Sequence, residues 1–139
     1  MNKLRPYSLI LDRLRSVGLR PTRQRLALAK LLFEGPDRHV TAELLHGEAV
    51  SARIRVSLAT VYNTLHQFTK AGLLREIVVE AGRSYFDTNV SDHHHFFFEG
   101  SGELRDISAG DVNVDRLPPP PPGTEISRVD VVLRVQEIK

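Results

Sequence analysis

Apolar residues in the first half of the chain recur at intervals of three and four, the spacing of helices that bury one face. The pattern predicts four helices, at about 4–17, 22–34, 41–53 and 57–72. Thr22 and Thr41 are suited to cap the second and third helices, and Gly72 suits the end of the fourth. In the fourth helix we expect an inward apolar stripe made of Leu58, Val61, Leu65 and Phe68. In the third we expect Leu44, Leu45 and Ala49 to face inward.

The second half changes to short segments with strand character, at 74–79, 84–88, 95–99 and 103–107. Five consecutive prolines at 118–122 predict a stiff extended connector. In the last segment apolar and polar residues alternate, which predicts a strand whose buried face is made of Val129, Val131, Leu133 and Val135. Helices followed at once by a hairpin are typical of a winged helix-turn-helix. We therefore predict an α+β protein with two domains, 1–89 and 90–139.

The composition is that of an ordinary globular protein, with 139 residues, 41% hydrophobic and 26% charged. The sequence has no apolar run near the roughly 18 residues of a membrane span and no signal-peptide core at its N-terminus. We therefore expect a cytoplasmic protein without a membrane partner. The chain has no cysteine, which excludes disulfides and thiolate metal sites, so a metal needs histidine, carboxylate or backbone oxygen ligands.

The net charge of +2 conceals an uneven distribution. Residues 1–75 hold 13 Lys and Arg against 5 Asp and Glu, a net +8, whereas residues 76–139 hold 6 against 12, a net −6. A basic half is typical of a protein that binds the phosphate backbone. Chance variation between the halves of a small protein is the alternative that charge alone leaves open.

Two segments of the basic half carry residue types that bind DNA. Residues 18–25, GLRPTRQR, open a helix with arginines, and a helix N-terminus favours anions. On the fourth helix the apolar stripe turns Thr60 and Asn63 outward, with Tyr62 beside them, and such side chains contact thymine methyl groups, phosphates or adenine. A solvated helix start and an ordinary amphipathic helix are the alternatives.

Three adjacent histidines, His93, His94 and His95, are the most unusual local feature. On an extended segment His93 and His95 point the same way and His94 points the opposite way. One pair can therefore share a metal such as Mn, Fe, Co or Zn, with carboxylates completing the ligand set. An exposed polar strand with incidental metal affinity is the alternative.

Four motifs, GLRPTRQR, HVTAELL, VSLATVYNTLHQFTKAGLL and GRSYFD, resemble the ferric uptake regulator family in order and spacing, over about residues 13–107. The resemblance implies a homodimeric, metal-responsive DNA-binding regulator with an N-terminal winged helix and a small α/β dimerisation domain. It places Arg20 and Arg25 on the DNA backbone or minor groove. It assigns to the major-groove helix the residues Ser57, Thr60, Tyr62 and Asn63.

The same resemblance implies a regulatory metal site between the two domains. Its ligands would be His39, Glu80, His93, His95 and Asp106. Asp92 and His94 match the start of a second site of the family. The paired cysteines of the family's structural zinc site are absent, with Phe98 and Ser101 at one pair, so that zinc is not expected.

The triple histidine and the missing cysteines resemble the alphaproteobacterial iron response regulator branch of the family. That resemblance implies control of iron and haem genes under iron limitation, and inactivation by haem. The signal would come from haem or from the enzyme that makes it, ferrochelatase, with His94 as the candidate axial ligand. A cysteine-containing haem motif of some branch members has no counterpart here.

Three functions are therefore weighed for the chain. The first is a regulator of iron and haem genes that acts on an AT-rich palindromic operator, and the second is a plain Mn, Fe or Zn sensor without a haem role. The third is a metalloenzyme, which we do not expect because the sequence has no nucleophile–base set and no phosphate-binding glycine loop. The sequence leaves open the native metal, the target genes and whether binding represses or activates.

Overall fold

The computed structural model describes residues 8–80 and 82–139, which divide into two compact units, the first ending at Val90 and the second running from Ser91 to Lys139. Residues 4–7 of the first predicted helix, and Ala81 in the predicted hairpin connection, lie outside the described residues. None of the described helices is long and apolar enough to cross a membrane.

The first unit contains the four predicted helices, and the last three are each shorter by two or three residues than their periodicity suggested. They are α1 (Ser8–Ser16), α2 (Arg23–Phe33), α3 (Ala42–Ser51) and α4 (Leu58–Lys70). Side-chain oxygens of Thr22, Thr41 and Ser57 accept backbone N–H groups of the first turns of α2, α3 and α4. Such N-caps satisfy donors that a helix cannot pair internally, so they fix where each helix begins. Gly72, at φ +85°, ends α4 as predicted.

A three-stranded antiparallel sheet completes the first unit. Its strands are β1 (His39–Val40), β2 (Arg75–Glu80) and β3 (Arg83–Asp87), in the order β1-β3-β2. The hairpin of β2 and β3 is the predicted wing. The short strand β1 was not predicted, because two residues carry no periodicity and only pairing with β3 makes them a strand.

The core of the first unit joins the inner faces of the helices to the sheet. Its fully buried large side chains include Leu28, Leu32, Leu45, Leu65, Phe68 and Phe86. Two expected core positions are wrong: Leu44 and Leu58 are 49% and 37% exposed. Leu58 is the first residue of α4 and lies beyond the buried stripe, and Leu45 rather than its neighbour Leu44 occupies the inward position of α3.

The second unit is a three-stranded sheet of the order β5-β4-β6. Its strands are β4 (His93–Phe98), β5 (Leu104–Ser108) and β6 (Val132–Val135), and β4 pairs antiparallel with β5 and parallel with β6. Phe97, Leu104 and Ile107 are buried. The α+β class is confirmed, although helical structure in the described part of this unit is one three-residue 3-10 turn, Ala109–Asp111.

The predicted buried face of the last strand is not buried within one chain. Leu133 is 41% exposed, while Val129, Val131 and Val135 are half-buried. The strand β6 lies at the edge of its sheet, and a three-stranded sheet alone does not cover both of its sides. The proline segment 118–122 is exposed and has no helix or strand, as predicted.

Candidate metal centre and nucleic-acid interface

In the second unit, β4 and β5 bring two imidazoles and one carboxylate together. The Nε2 atoms of His93 and His95 lie 3.4 and 3.3 Å from the same oxygen, Oδ1 of Asp106. The register explains this convergence, since His95 stands directly opposite Asp106 and His93 is two residues along the same face of β4. The two histidine side chains are buried, whereas that of Asp106 is half exposed.

A hydrogen bond to the backbone fixes the orientation of the His93 ring. Its Nδ1–H donates to the carbonyl of Ser91 at 2.7 Å, so in the neutral ring Nε2 carries the lone pair. Histidines that bind metals commonly donate their other N–H to a backbone carbonyl in this way. Nε2 of His93 therefore faces Asp106 with its lone pair oriented to bind a metal.

The spacing of these atoms is that of ligands around one ion. Two ligands bound at about 2.1 Å stand about 3.4 Å apart in a tetrahedral shell and about 3.0 Å apart in an octahedral one. The measured separations of 3.3 and 3.4 Å fall in that range. Imidazole nitrogen with carboxylate oxygen is a donor set for Zn, Mn or Fe.

In the first unit, a second histidine–carboxylate pair joins β1 to β3. Nε2 of His39 lies 3.2 Å from Oδ2 of Asp87, and the two residues are register partners. Asp87 is fully buried, and its Oδ1 accepts the backbone N–H of Asn89 at 2.9 Å. Of the described residues that could hold a metal ion, His39 and Asp87 belong to this unit, and His93, His95 and Asp106 belong to the second.

Glu80, which the family resemblance placed among the metal ligands, is not in the cluster of possible ligands that contains His39 and Asp87. It ends β2 with a half-exposed side chain, and its carboxylate pairs with Arg83 at 3.4 Å. Asp87 was missed as a candidate ligand, although it closes the motif GRSYFD. The signal that would have found it is a carboxylate at the end of a strand that otherwise reads as buried.

His94, the candidate haem ligand, points away from His93 and His95, as the alternation predicts. Its Nδ1 accepts the backbone N–H of Val131 at 3.2 Å, which leaves the proton of the neutral ring on Nε2. Asp92 is exposed just before β4. Both nitrogens of His94 are thus occupied, one by a hydrogen bond and one by a proton.

At the start of α4, two of the predicted DNA-binding hydroxyl groups support the helix itself. Oγ of Ser57 accepts the backbone N–H of Thr60 at 3.0 Å and donates to Oγ1 of Thr60 at 2.9 Å. The exposed face beyond them carries Ala59 and Asn63, whose small and amide side chains let a helix approach bases.

Tyr62 lies beside that exposed face and is tied to α3. Its hydroxyl donates to Oε1 of Glu43 at 2.6 Å, and its ring stacks near His66 with centroids 6.4 Å apart. The hydrogen bond lowers the pKa of the Glu43 carboxyl, and the same bond raises the pKa of the Tyr62 phenol. The sequence pattern of α3 does not reveal Glu43, because nothing in it relates this residue to one nineteen positions later.

The two predicted arginines differ in what holds them. Arg20 is exposed before α2, and its carbonyl accepts a hydrogen bond from Arg25 at 2.8 Å. The guanidinium of Arg25 also donates twice to Oε1 of Gln67, at 3.1 and 2.9 Å, which links the start of α2 to α4. Gln67 thus holds Arg25 beside the exposed face of α4, and helix periodicity could not have revealed this contact.

Comparison with known proteins agrees with this architecture. The model of the ferric uptake regulator family matches residues 16–117. The ferric uptake regulation protein of Bordetella parapertussis is 31% identical over 100 residues, covering 71% of this chain and 72% of that protein. The Escherichia coli K12 protein of the same name is 36% identical over 96 residues, covering 68% and 65% of the two chains.

Solved structures show the same fold. The manganese-containing ferric uptake regulator of Pseudomonas aeruginosa superposes with a TM-score of 0.70 at 27% identity, covering 92% of this chain and 97% of that one. The Vibrio cholerae ferric uptake regulator gives 0.71 at 24% identity, covering 91% and 98%. A zinc-bound manganese uptake regulator gives 0.64 at 22% identity, covering 92% and 98%, and shows the fold alone.

An N-terminal DNA-binding unit followed by a smaller dimerisation unit defines a class of metal-responsive transcriptional regulators. This chain belongs to the ferric uptake regulator family within that class. Members of this family are transcription regulators that bind DNA and form dimers.

Proposed function

We propose that this protein binds operator DNA as a homodimer and that a divalent metal, Mn, Fe or Zn, controls its affinity. The observation that carries the proposal is the convergence of His93, His95 and Asp106 at ligand spacing. The Nδ1–H of His93 is committed to a backbone carbonyl, which orients the ring as a ligating histidine requires.

We further propose that one ion takes ligands from both units, as the family resemblance implies. The second unit offers three ligands, and these metals take four to six, so further donors are needed. His39 and Asp87 are the donors of the first unit, with Asp87 in place of Glu80, whose carboxylate pairs with Arg83. An ion shared in this way would restrict the DNA-binding units of a dimer to one spacing, which is a route from metal to affinity.

On the DNA side, we propose that α4 enters the major groove of an AT-rich palindromic site. Asn63 and Tyr62 would contact bases from its exposed face, while the caps Ser57 and Thr60 keep its first turn intact. Arg20 would contact the phosphate backbone. Arg25 would mainly position that segment, because three of its donor bonds are made within the protein. The net charge of +8 on residues 1–75 supports this orientation.

The finer assignment, to an iron response regulator inactivated by haem, stays a prediction, and the arrangement around His94 argues against direct ligation. An axial nitrogen needs a free lone pair, but in the neutral ring Nδ1 of His94 accepts the N–H of Val131 and Nε2 holds the proton. Haem binding there would require the bond between β4 and the start of β6 to open. A haem titration followed by absorbance, on the protein and on His94→Ala, tests this: a Soret band that needs His94 would restore the haem assignment.

The test of the main proposal begins with selection of duplexes from a randomised AT-rich pool, using the full chain with Mn added. Fluorescence anisotropy then compares the recovered duplex with a random duplex, with Mn, with Zn and after chelation. We expect tight binding to the recovered duplex only with metal, and loss of the metal response in His95→Ala. Recovery of no preferred duplex, or equal binding after chelation, would refute the proposal.

The shared ion is tested separately by metal stoichiometry. Calorimetric titration with Mn should give one ion per chain, weakened by both His39→Ala and His95→Ala and only slightly by the control Glu80→Ala. Two independent ions, or a His39→Ala variant with unchanged affinity, would show that the two units bind metal separately. A dominant loss in Glu80→Ala would return Glu80 to the ligand set.

A further inference from the structure

A hydrogen bond between α3 and α4 holds Tyr62, whose side chain has the largest apolar surface among the α4 residues proposed to contact DNA. The Tyr62 hydroxyl donates to Oε1 of Glu43 at 2.6 Å, a length typical of an O–H donor on a carboxylate. Glu43 lies in the first turn of α3, which Thr41 caps, so the acceptor stands on a rigid element. The side chain of Tyr62 is thus held at its hydroxyl as well as at its backbone.

This bond changes what Tyr62 can offer to DNA. A phenol has one proton, and here Glu43 accepts it, so the hydroxyl cannot donate to a phosphate or to a base. The carboxylate beside it also repels phosphates. What remains available is the exposed part of the ring, which is half-buried against the core and lies along α4 near His66.

We propose that Glu43 is a positioning residue that holds Tyr62 so that its ring, rather than its hydroxyl, contacts DNA, with the C5-methyl group of a thymine as the partner. The inference rests on the proposed function, since it assumes that α4 reads bases. A thymine methyl is the apolar group that the major groove displays, and a ring with its hydroxyl already bonded is a complementary surface. Holding the ring in advance reduces the ordering cost of binding.

The experiment uses the full chain with Mn and the duplex recovered by the selection described above. Each thymine of one half-site is replaced in turn by uracil, which removes only the methyl group. For the wild type, one replacement should weaken binding about fourfold, the value of one buried methyl. Tyr62→Ala should abolish the effect of that replacement, and Tyr62→Phe should retain it because the ring is still present.

The positioning role of Glu43 is tested by comparing the two single variants with the double variant of Glu43 and Tyr62. Glu43→Ala and Tyr62→Phe should each lower the preference for the recovered over the random duplex by about three- to tenfold, the value of one hydrogen bond. The double variant should lose no more than either single variant, because both remove the same bond. Glu43→Gln keeps an acceptor oxygen and should retain most of the preference.

A readout without DNA shows whether the bond exists in solution. Absorbance titration of the wild type should show one phenol whose pKa is raised above that of an ordinary tyrosine. This phenol should be missing in Tyr62→Phe, and its pKa should fall in Glu43→Ala. Urea unfolding of each variant identifies any that fail to fold, and the titration decides the proposal in that case.

Several results would overturn the inference. They are additive losses in the double variant, a uracil effect that survives Tyr62→Ala, and a wild type without a raised phenol pKa. These results leave the proposed function intact if the wild type still prefers its recovered duplex. If the wild type prefers no duplex, the proposed function fails and this inference fails with it.

Discussion

Replacing Ser57 by alanine removes the N-cap of α4, the helix proposed to read DNA. Oγ of Ser57 accepts the backbone N–H of Thr60 at 3.0 Å, and alanine cannot replace that acceptor. Loss of a serine cap costs about 1 kcal/mol. Because α4 supplies Val61, Leu65 and Phe68 to the core, the cost should appear in the unfolding of the whole first unit.

The expected loss is measurable by two routes. For a domain of this size, about 1 kcal/mol lowers the midpoint of thermal unfolding by roughly 4–8 °C. If the first turn must be ordered when it meets DNA, the same free energy weakens binding to the recovered duplex about fivefold. Urea unfolding and anisotropy on the same preparation supply both values.

Two variants separate the stability of α4 from its contact with DNA. Ile10→Val removes one methylene from a buried side chain of α1, a helix with no proposed DNA contact, so it should cost about the same stability without lowering the preference for the recovered duplex. Ser57→Asp keeps a capping oxygen but adds a negative charge, so it should keep stability and lose DNA affinity.

A Ser57→Ala variant that unfolds at the wild-type urea concentration would refute this prediction, because the cap would then contribute nothing. Ile10→Val lowering the DNA preference as much as Ser57→Ala would also refute it, because the effect would then be one of general stability. Undiminished DNA binding by Ser57→Asp would show that the start of α4 does not approach phosphates.

Three further predictions concern metal, salt and pH. Mn at about one hundred times its dissociation constant should raise the free energy of unfolding by about 2.7 kcal/mol, and His95→Ala should lose that gain in urea titrations. Affinity for the recovered duplex should fall steeply with salt, and Arg20→Ala should reduce the log–log slope by about 0.9, while the control Arg128→Ala in the second unit leaves it unchanged. The hydrogen bond from Tyr62 is the main cause of the lowered pKa of the Glu43 carboxyl. The stability that ionised Glu43 contributes should therefore be present above the usual pKa of 4.5 and be lost as the pH falls through the lowered pKa. A curve of stability against pH that is identical in Glu43→Gln would contradict this.

Local patterns in the sequence determined the elements of the fold and several of the site residues. Helix periodicity with threonine caps placed α2 and α3, since a cap and an apolar stripe are properties of neighbouring residues. Strand alternation put His93 and His95 on one side and His94 on the other, because successive side chains of a strand must alternate. The missing cysteines restricted metal ligands to histidine and oxygen donors.

Contacts between residues far apart in the chain were decided only by the tertiary structure. The pairing of β1 with β3 placed Asp87 beside His39, and the packing of α3 against α4 placed Glu43 on Tyr62. Periodicity reports which face of an element is buried, but the partner of a polar side chain depends on register and packing between elements. The candidate ligand Asp87 and the positioning residue Glu43 could therefore be recognised only in the folded chain.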